Sequence, residues 1–376
     1  MHSNYLLLAS AILTSFVLTY MFIPSIIKVA IIKHLYDTPD ERKSHYDVIP
    51  TLGGVGIFGG FIIGFCLFAR FDIKSNEIKY VIAALSFMFM LGAKDDIVEL
   101  VPNKKFIGQI FAASIVVILG DIRLTSLYGL FGISAIGDYT SYILSIITII
   151  FIINAFNLVD GINLLAGSVG VIATSTFGTW FIFHAFFDYA ILAAAMSGAL
   201  FAFLKYNYSP AKIFMGDSGS LSVGLLVAVL AIQFIERNEM VLASVNAINN
   251  EPILITTAPA MAVAVLIIPL YDTLRVFTMR LINKKSPFIA DRNHIHHKLL
   301  DTGYSHVKAT IILVIVNILF IVASYFLQFL GNMYLMILQL ATATLLTFVL
   351  FSVKSKKKIT HKKDKANVQL SLENAH

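Results

Sequence analysis

Four side chains able to hydrogen-bond recur at every third position near the end of an apolar run: Asn154, Asn157, Asp160 and Asn163. They follow Ile143 to Ile153, which is almost wholly apolar. In a continuing helix each step of three turns about 300°, so the four drift slowly around one side. A charged group at mid-membrane costs roughly 2.5–3.5 kcal/mol, so a carboxylate here needs a physical reason. One reason is a helix end that reaches water and is capped by Asn157, Asp160 and Gly161. The other is a polar cluster aimed at a bound ion or substrate.

Four more segments invite the same question. Adjacent carboxylates on a helix diverge by about 100°. In Lys94-Asp95-Asp96, one aspartate can therefore face a metal or substrate while the other faces a neighbouring helix or lysine. Lys104 and Lys105 open the next helix, and plain anchoring charge at the membrane surface is the competing explanation. In Ile213 to Ser220, Gly216 and Gly219 let backbone approach a ligand closely. Asp217 stands at a helix start, where free N–H groups favour anions. It reads as an N-cap or, since Ser218 and Ser220 already offer capping, as a hard oxygen ligand of the type Mg²⁺ prefers.

Asp291-Arg292-Asn293-His294-Ile295-His296-His297 is the most unusual segment. Its three histidines suggest zinc, which would require a further ligand. With Arg292 they suit a diphosphate and a sugar equally well, and a plain surface loop is the third reading. Arg42, Lys43 and His45 precede Pro50, Gly53 and Gly54, which fits either topology-setting charge or a phosphate-facing loop. His34, His184, His306 and His361 lack such company and read as ordinary loop residues.

The elements that must hold these residues are membrane helices. The chain has 376 residues, 58% hydrophobic and 13% charged, with mean hydropathy +0.82. A soluble protein of this size would carry more surface charge, and repeated apolar runs of about 20 residues indicate an all-α polytopic membrane protein. Cys66 is the only cysteine, which excludes an intrachain disulfide and a cysteine-rich metal site. The phenylalanines sit mostly inside apolar runs and form no stacking platform, so no nucleic-acid partner is expected. The first run, Tyr5 to Ile27, lacks a small-residue cleavage site and reads as a span rather than a removed signal peptide.

About eleven spans are expected, near 5–27, 51–69, 79–93, 106–120, 141–157, 164–183, 188–204, 219–235, 254–276, 309–328 and 333–352. One set of alternate loops holds only Arg70, Lys74, Lys79, Arg123 and Arg237, leaving 23 of the 28 Lys and Arg to the other face. The positive-inside rule makes that second face cytoplasmic, with the N-terminus outside and the C-terminus inside. Residues 1–353 then form the transmembrane domain. Residues 354–376 form a basic and polar tail, disordered beyond about 360, that anchors topology or is drawn to anionic lipid.

The unusual polar segments all fall on the cytoplasmic face: Asp37 to Gly54, Lys94 to Lys105, Asn154 to Asn163, Lys205 to Ser220 and Lys284 to His297. That is the outline of a one-sided active site. A transporter or lipid flippase would more often carry ionisable groups at mid-membrane and open to both faces. The outside loops show no such cluster, and Gly and aromatic residues within 121–140 suggest a short hairpin.

In this order the segments resemble the polyprenyl-phosphate N-acetylhexosamine-1-phosphate transferases, glycosyltransferase family 4, over roughly Asp37 to His306. Asp37-Thr-Pro39, Arg42-Lys43-Ser-His45 and Pro50-Thr-Leu-Gly53-Gly54 resemble the opening motif of the WecA/TagO branch. Asp95-Asp96-Ile-Val-Glu99-Leu100, extended by Lys105, Gly108 and Gln109, resembles the family's aspartate pair. Asn154-Ala-Phe-Asn157-Leu-Val-Asp160-Gly161 resembles its central motif. Phe214-Met-Gly-Asp217-Ser-Gly-Ser220 resembles its metal-binding motif, and Asp291 to His297 its histidine loop.

The resemblance implies transfer of N-acetylhexosamine 1-phosphate, GlcNAc-1-phosphate by default, from a UDP-sugar to undecaprenyl phosphate. UMP is released, and the lipid-diphosphate sugar starts a cell-envelope polysaccharide. It implies a multi-pass protein of the bacterial cytoplasmic membrane, with a homodimer as one assembly state. It implies Mg²⁺, with Mn²⁺ as a substitute, held by Asp217 and Asn157. Asp95 or Asp96 would bind or deprotonate the lipid phosphate, and Asp160 would support the nucleotide or metal site. The implied substrate-binding set is Arg42, Lys43, His45, Lys105, Asn154, Asn163, Asp291, Arg292, His294, His296 and His297. Direct attack is the first choice and a phospho-aspartate intermediate the second.

An MraY-type phospho-N-acetylmuramoyl-pentapeptide transferase is the alternative within the class. Arg42-Lys43-x-His45 and the His-Ile-His-His order favour the WecA/TagO branch. The sequence departs from the pattern at Asn163 and Leu164, where many members carry a second aspartate and a glycine. An asparagine cannot neutralise Mg²⁺ or act as a base. The essential negative charge is therefore expected on Asp160, Asp217 and the Asp95–Asp96 pair.

Overall fold

A computed structural model describes residues 2–35, 49–69, 77–245, 254–284 and 293–352. Apolar runs fold as helices in a bilayer because a helix satisfies every backbone N–H and C=O within its own segment. The described residues follow that rule: they are helical, with one isolated antiparallel bridge between Ser126 and Ala135. The 354–376 tail lies outside the described residues.

In chain order the helices are α1 (His2–Ile32), α2 (Gly53–Phe68), α3 (Glu77–Ile97) and α4 (Pro102–Ser114), which a π-helical turn, Ile115–Leu119, extends. Next come α5 (Asp138–Val159), α6 (Leu165–Phe183), α7 (Phe187–Asn207) and α8 (Gly216–Val245). The last are α9 (Ala258–Val265), α10 (Ile267–Ile282), α11 (Ile295–Asp301), α12 (His306–Phe326) and α13 (Gly331–Ser352). Every expected span coincides with helix. Among the described residues eight helices are long and apolar enough to cross a membrane, and α9 with α10 makes a ninth if the bent pair is one span. The helix α2 is shorter, at 16 residues, and α3 carries charges at both ends.

The run expected as one span near 254–276 is bent. Helices α9 and α10 meet at 82°. Pro269 explains the break: its ring clashes with the carbonyl four residues back, that of Val265, where α9 stops. The hairpin expected within 121–140 is a tight one, with the Leu127 N–H donating to the Ser134 carbonyl at 2.8 Å.

Helix α8 is the axis of the bundle. It packs against α2, α3, α5, α6 and α9. Of its most apolar 18-residue stretch 94% is buried, against 22% for the stretch of α13, which lies at the periphery. Helix α2 reaches the start of α8 through small residues. A Cβ on Gly54 would collide with the Gly219 backbone, so only glycine permits this approach. A short ladder closes the same junction: Gly53 and Gly54 donate to the carbonyls of Phe214 and Met215 at 2.9 and 2.8 Å, and Phe214 donates to Pro50 at 2.8 Å.

The two ends of the bundle differ in chemistry. At the end holding the C-terminal turns of α8, polar groups pair off locally. Arg237 meets Glu77 at 3.1 Å, Tyr189 donates to Glu77 at 2.5 Å, and Thr125 donates through its hydroxyl to Glu236 at 2.6 Å. At the end where α8 begins, acidic side chains gather.

Candidate active site

The site grows from the junction of α3, α4, α5 and α8. The two adjacent aspartates at the end of α3 diverge as helical geometry requires. Asp95 turns toward α4: it accepts from the Leu100 N–H at 2.6 Å and meets the Lys105 ammonium at 3.1 Å. Asp96 turns toward α8 and accepts from the backbone N–H groups of Asp217 and Ser218 at 2.7 and 3.0 Å. The first N–H groups of a helix have no partner within it. Here a carboxylate from another helix takes up two of them, and neither Asp217 nor the serines serves as that cap. Gly216 makes this possible with φ +71, a conformation that leaves no room for a Cβ between Thr51 and Asp96.

Freed from capping, Asp217 presents its carboxylate to side chains. Its Oδ2 receives a hydrogen bond from Lys105, which thereby bridges Asp95 and Asp217. Its Oδ1 receives the Asn157 amide at 2.6 Å, and Asn157 also donates to Ser220 Oγ at 2.8 Å. One turn earlier, Asn154 pairs its amide with Gln109 through reciprocal bonds of 2.7 and 3.2 Å. The 154–163 stretch is thus both a helix end and part of a polar cluster. Helix α5 ends at Val159, and the side chains of its last turns face the acidic cluster.

Asp160 follows α5 directly. Desolvation, then the neighbouring carboxylates of Asp217 and Asp96, push it up to about 7; the Gly216 N–H that it accepts opposes this. Four carboxylates thus share the junction with one ammonium, Lys105, among the described residues.

Asn163 is buried and sits deeper. Its carbonyl accepts from Thr310 at 2.8 Å, its N–H donates to His306 Nδ1 at 3.5 Å, and its side-chain oxygen has no hydrogen-bond partner. Leu164 adopts φ +71 and donates its N–H to Asn207.

The histidine segment forms a second wall. His294 leads into α11, and its Nδ1 bonds Asp272 Oδ2 at 2.8 Å. The His294 and His296 rings stack at 5.5 Å, and those of His296 and His297 tilt together at 4.3 Å. His296 lies against Gly161, where any Cβ would strike its Nε2. The two clusters therefore meet at Asp160–Gly161. Burial, then the neighbouring His297, pushes His296 down to about 3, so the ring is neutral at physiological pH.

Of the residues expected from sequence, Asp95, Asp96, Lys105, Asn157, Asp160 and Asp217 converge at the junction. Asn154 lies beside it, His296 and His297 adjoin it, and His294 and Asn163 are packed behind. Arg42, Lys43, His45, Asp291 and Arg292 lie outside the described residues. Sequence reasoning missed Asp272 and Arg275. A signal existed, since charges three residues apart inside an expected span are unusual. It also passed over His306, which no local pattern distinguishes.

Among the described residues no three His, Cys, Asp or Glu side chains stand close enough to hold a metal ion by themselves. The Asp217 carboxylate with Asn157 beside it could contribute to an Mg²⁺ site, since that ion is usually held by one or two carboxylates together with substrate phosphates and water. The excess of carboxylate over ammonium at the junction is the charge such an ion would offset.

Known proteins resemble this chain over most of its length. Residues 78–235 match the glycosyl transferase family 4 profile. A probable undecaprenyl-phosphate N-acetylglucosaminyl 1-phosphate transferase of Bacillus subtilis is 26% identical over 335 residues, covering 89% of this chain and 86% of the relative. A decaprenyl-phosphate N-acetylglucosaminephosphotransferase of Mycobacterium tuberculosis is 30% identical over 294 residues, covering 73% and 71%. An undecaprenyl-phosphate alpha-N-acetylglucosaminyl 1-phosphate transferase of Salmonella typhi is 27% identical over 309 residues, covering 81% and 79%.

Proposed function

The chain belongs to glycosyl transferase family 4, and we propose that it transfers N-acetylglucosamine 1-phosphate from UDP-N-acetylglucosamine to undecaprenyl phosphate. The observation that carries this reading is the carboxylate–lysine junction around Asp217, at one end of an all-helical bundle. Phosphoryl transfer needs mainly positioning and charge neutralisation. A polyprenyl phosphate keeps its chain in the bilayer while its phosphate meets a soluble nucleotide, so a site at a bundle end suits both substrates.

In the proposed reaction a phosphate oxygen of the acceptor attacks the β-phosphorus of the donor. The bond from that phosphorus to the bridging oxygen breaks and UMP leaves. One diphosphate replaces another, so no separate energy source is needed. Asp217 and the amide oxygen of Asn157 would hold Mg²⁺, which when bound supplies Lewis-acid neutralisation of the diphosphate. Lys105 adds a positive charge beside Asp217 and is the group best able to follow phosphate oxygens. Asp95 is the better candidate to receive the acceptor phosphate or its proton, because one of its oxygens faces the Lys105 ammonium, whereas both oxygens of Asp96 are tied to backbone N–H groups at the start of α8. His296, neutral and buried, lines the donor side and can hydrogen-bond without adding charge.

The same reading assigns eleven membrane crossings, counting α2, α3 and the α9–α10 pair. It sets the N-terminus outside and the acidic junction on the cytoplasmic side of a bacterial inner membrane, where nucleotide sugars are made.

The test is UMP release from purified protein given undecaprenyl phosphate, Mg²⁺ and individual UDP-sugars. UDP-N-acetylglucosamine is expected to be the best donor. Asp217→Asn is expected to lower turnover by roughly 10²–10³, the range seen when a group that stabilises transition-state charge is removed, while expression persists. Absence of UMP with every UDP-N-acetylhexosamine would overturn the transferase reading. Substrate accumulation in vesicles without UMP would instead favour a transporter.

A further inference from the structure

The strongest unassigned feature is Asp272, a buried carboxylate in α10 that does not face the acidic junction. Its two oxygens gather three donors. Oδ2 bonds His294 Nδ1 at 2.8 Å, and Oδ1 accepts from the Ile295 N–H at 3.1 Å and from the Arg275 guanidinium at 2.9 Å. Arg275 also donates to the Asn293 carbonyl, immediately before the same helix. Its guanidinium lies 4.8 Å over the Phe351 ring at the end of α13, and Lys298 of α11 lies 5.3 Å from that ring. Thus α10 and α13 brace the seven-residue α11, which is too short to be stable by itself.

We propose that Asp272 is the positioning residue for the histidine wall. It ties down the first turn of α11 and fixes the rotation of His294. Through the His294–His296 stack it sets where His296 stands against Gly161, beside Asp160. A carbonyl or carboxylate partner on one ring nitrogen fixes the tautomer of an imidazole. The Asp272 carboxylate can only accept, so Nδ1 of His294 carries the hydrogen. Asp272 acts through these rings rather than on substrate.

This inference rests on the transferase reading for its kinetic arm but not for its structural one. The kinetic arm compares donor and acceptor KM. Asp272→Asn is expected to raise donor KM about tenfold or more, the scale seen when partners that orient metal-bound histidines are removed, with acceptor KM little changed. In a double-mutant cycle, adding His294→Ala to Asp272→Asn is expected to cause little further loss, since both remove one linkage. Asp272→Glu is expected to recover part of the donor affinity. The structural arm is hydrogen exchange of the 293–305 peptide, which requires no turnover. Asp272→Asn should lose protection there while α8 keeps it.

Unchanged donor KM, additive losses in the cycle, or unchanged exchange over α11 would each overturn the inference. Loss of protection across the whole bundle would also overturn it, by making Asp272 an ordinary core group. If Asp272→Asn does not fold, Asp272→Glu carries both readouts, because it keeps the charge and displaces it by one methylene. A wild-type protein that releases no UMP would remove the transferase reading and leave the exchange experiment decisive for Asp272.

Discussion

A carboxylate that sits near two others keeps its proton until something removes it. Asp160 is held up to about 7 by desolvation and by Asp217 and Asp96, above its ordinary value of 3.8. The sign follows from linkage: the folded chain binds this proton more tightly than the unfolded chain. In cation-free protein that contribution to stability is complete below pH 3.8 and is lost as pH rises through about 7. A divalent ion at Asp217 would reverse the trend by favouring the ionised form. Thermal melts at pH 5.5 and pH 8 are expected to show a lower midpoint at the higher pH without Mg²⁺, and a larger Mg²⁺-induced rise there. An equal rise at both values would detach Asp160 from the cation site. Much at this scale was legible beforehand. The divergence of Asp95 from Asp96 follows from 100° per residue, and the polar face of Asn154, Asn157 and Asp160 from steps of three. The partner of each was not legible. Asp96 finds Asp217 and Ser218 more than a hundred residues away, and chain-local patterns carry no such distance.

At the scale of elements, Asp96 and Asp95 should separate by their effects. Asp96→Ala strips two N–H groups at the start of α8 of their acceptor. Losing a helix cap typically costs about 0.5–2 kcal/mol, and this cap serves the most buried helix of the bundle. A lower melting midpoint is expected for Asp96→Ala, whereas Asp95→Ala should impair transfer with a smaller thermal effect. Equal thermal effects would mean that the cap does not hold the junction together. Helix positions were readable from apolar runs because a bilayer leaves a backbone few alternatives. The break between α9 and α10 was written in Pro269 but was masked by the unbroken hydropathy around it. The brace on α11 could not be read, since Asp272 and His294 lie on different elements and meet only after α10 has turned back.

For the whole molecule, the proposed orientation can be tested at the two ends of the bundle. With Cys66→Ser as background, a cysteine at Gly129, exposed on the hairpin, is expected to react with a membrane-impermeant thiol reagent in intact cells. A cysteine at Asn103, exposed in the first turn of α4, should react only after lysis. The opposite pattern would invert the topology drawn from the Lys and Arg asymmetry. Helix α8 adds a ruler to this picture. From Asp217 to Arg237 it rises about 30 Å at 1.5 Å per residue, which matches the hydrocarbon thickness of a typical bilayer. In the proposed topology Asp217 and Arg237 would therefore stand at the two headgroup boundaries. Asp217 would then sit at the altitude where a lipid-borne phosphate already floats, and the proposed acceptor would reach the reaction plane by sideways diffusion alone, with no vertical lift out of the membrane.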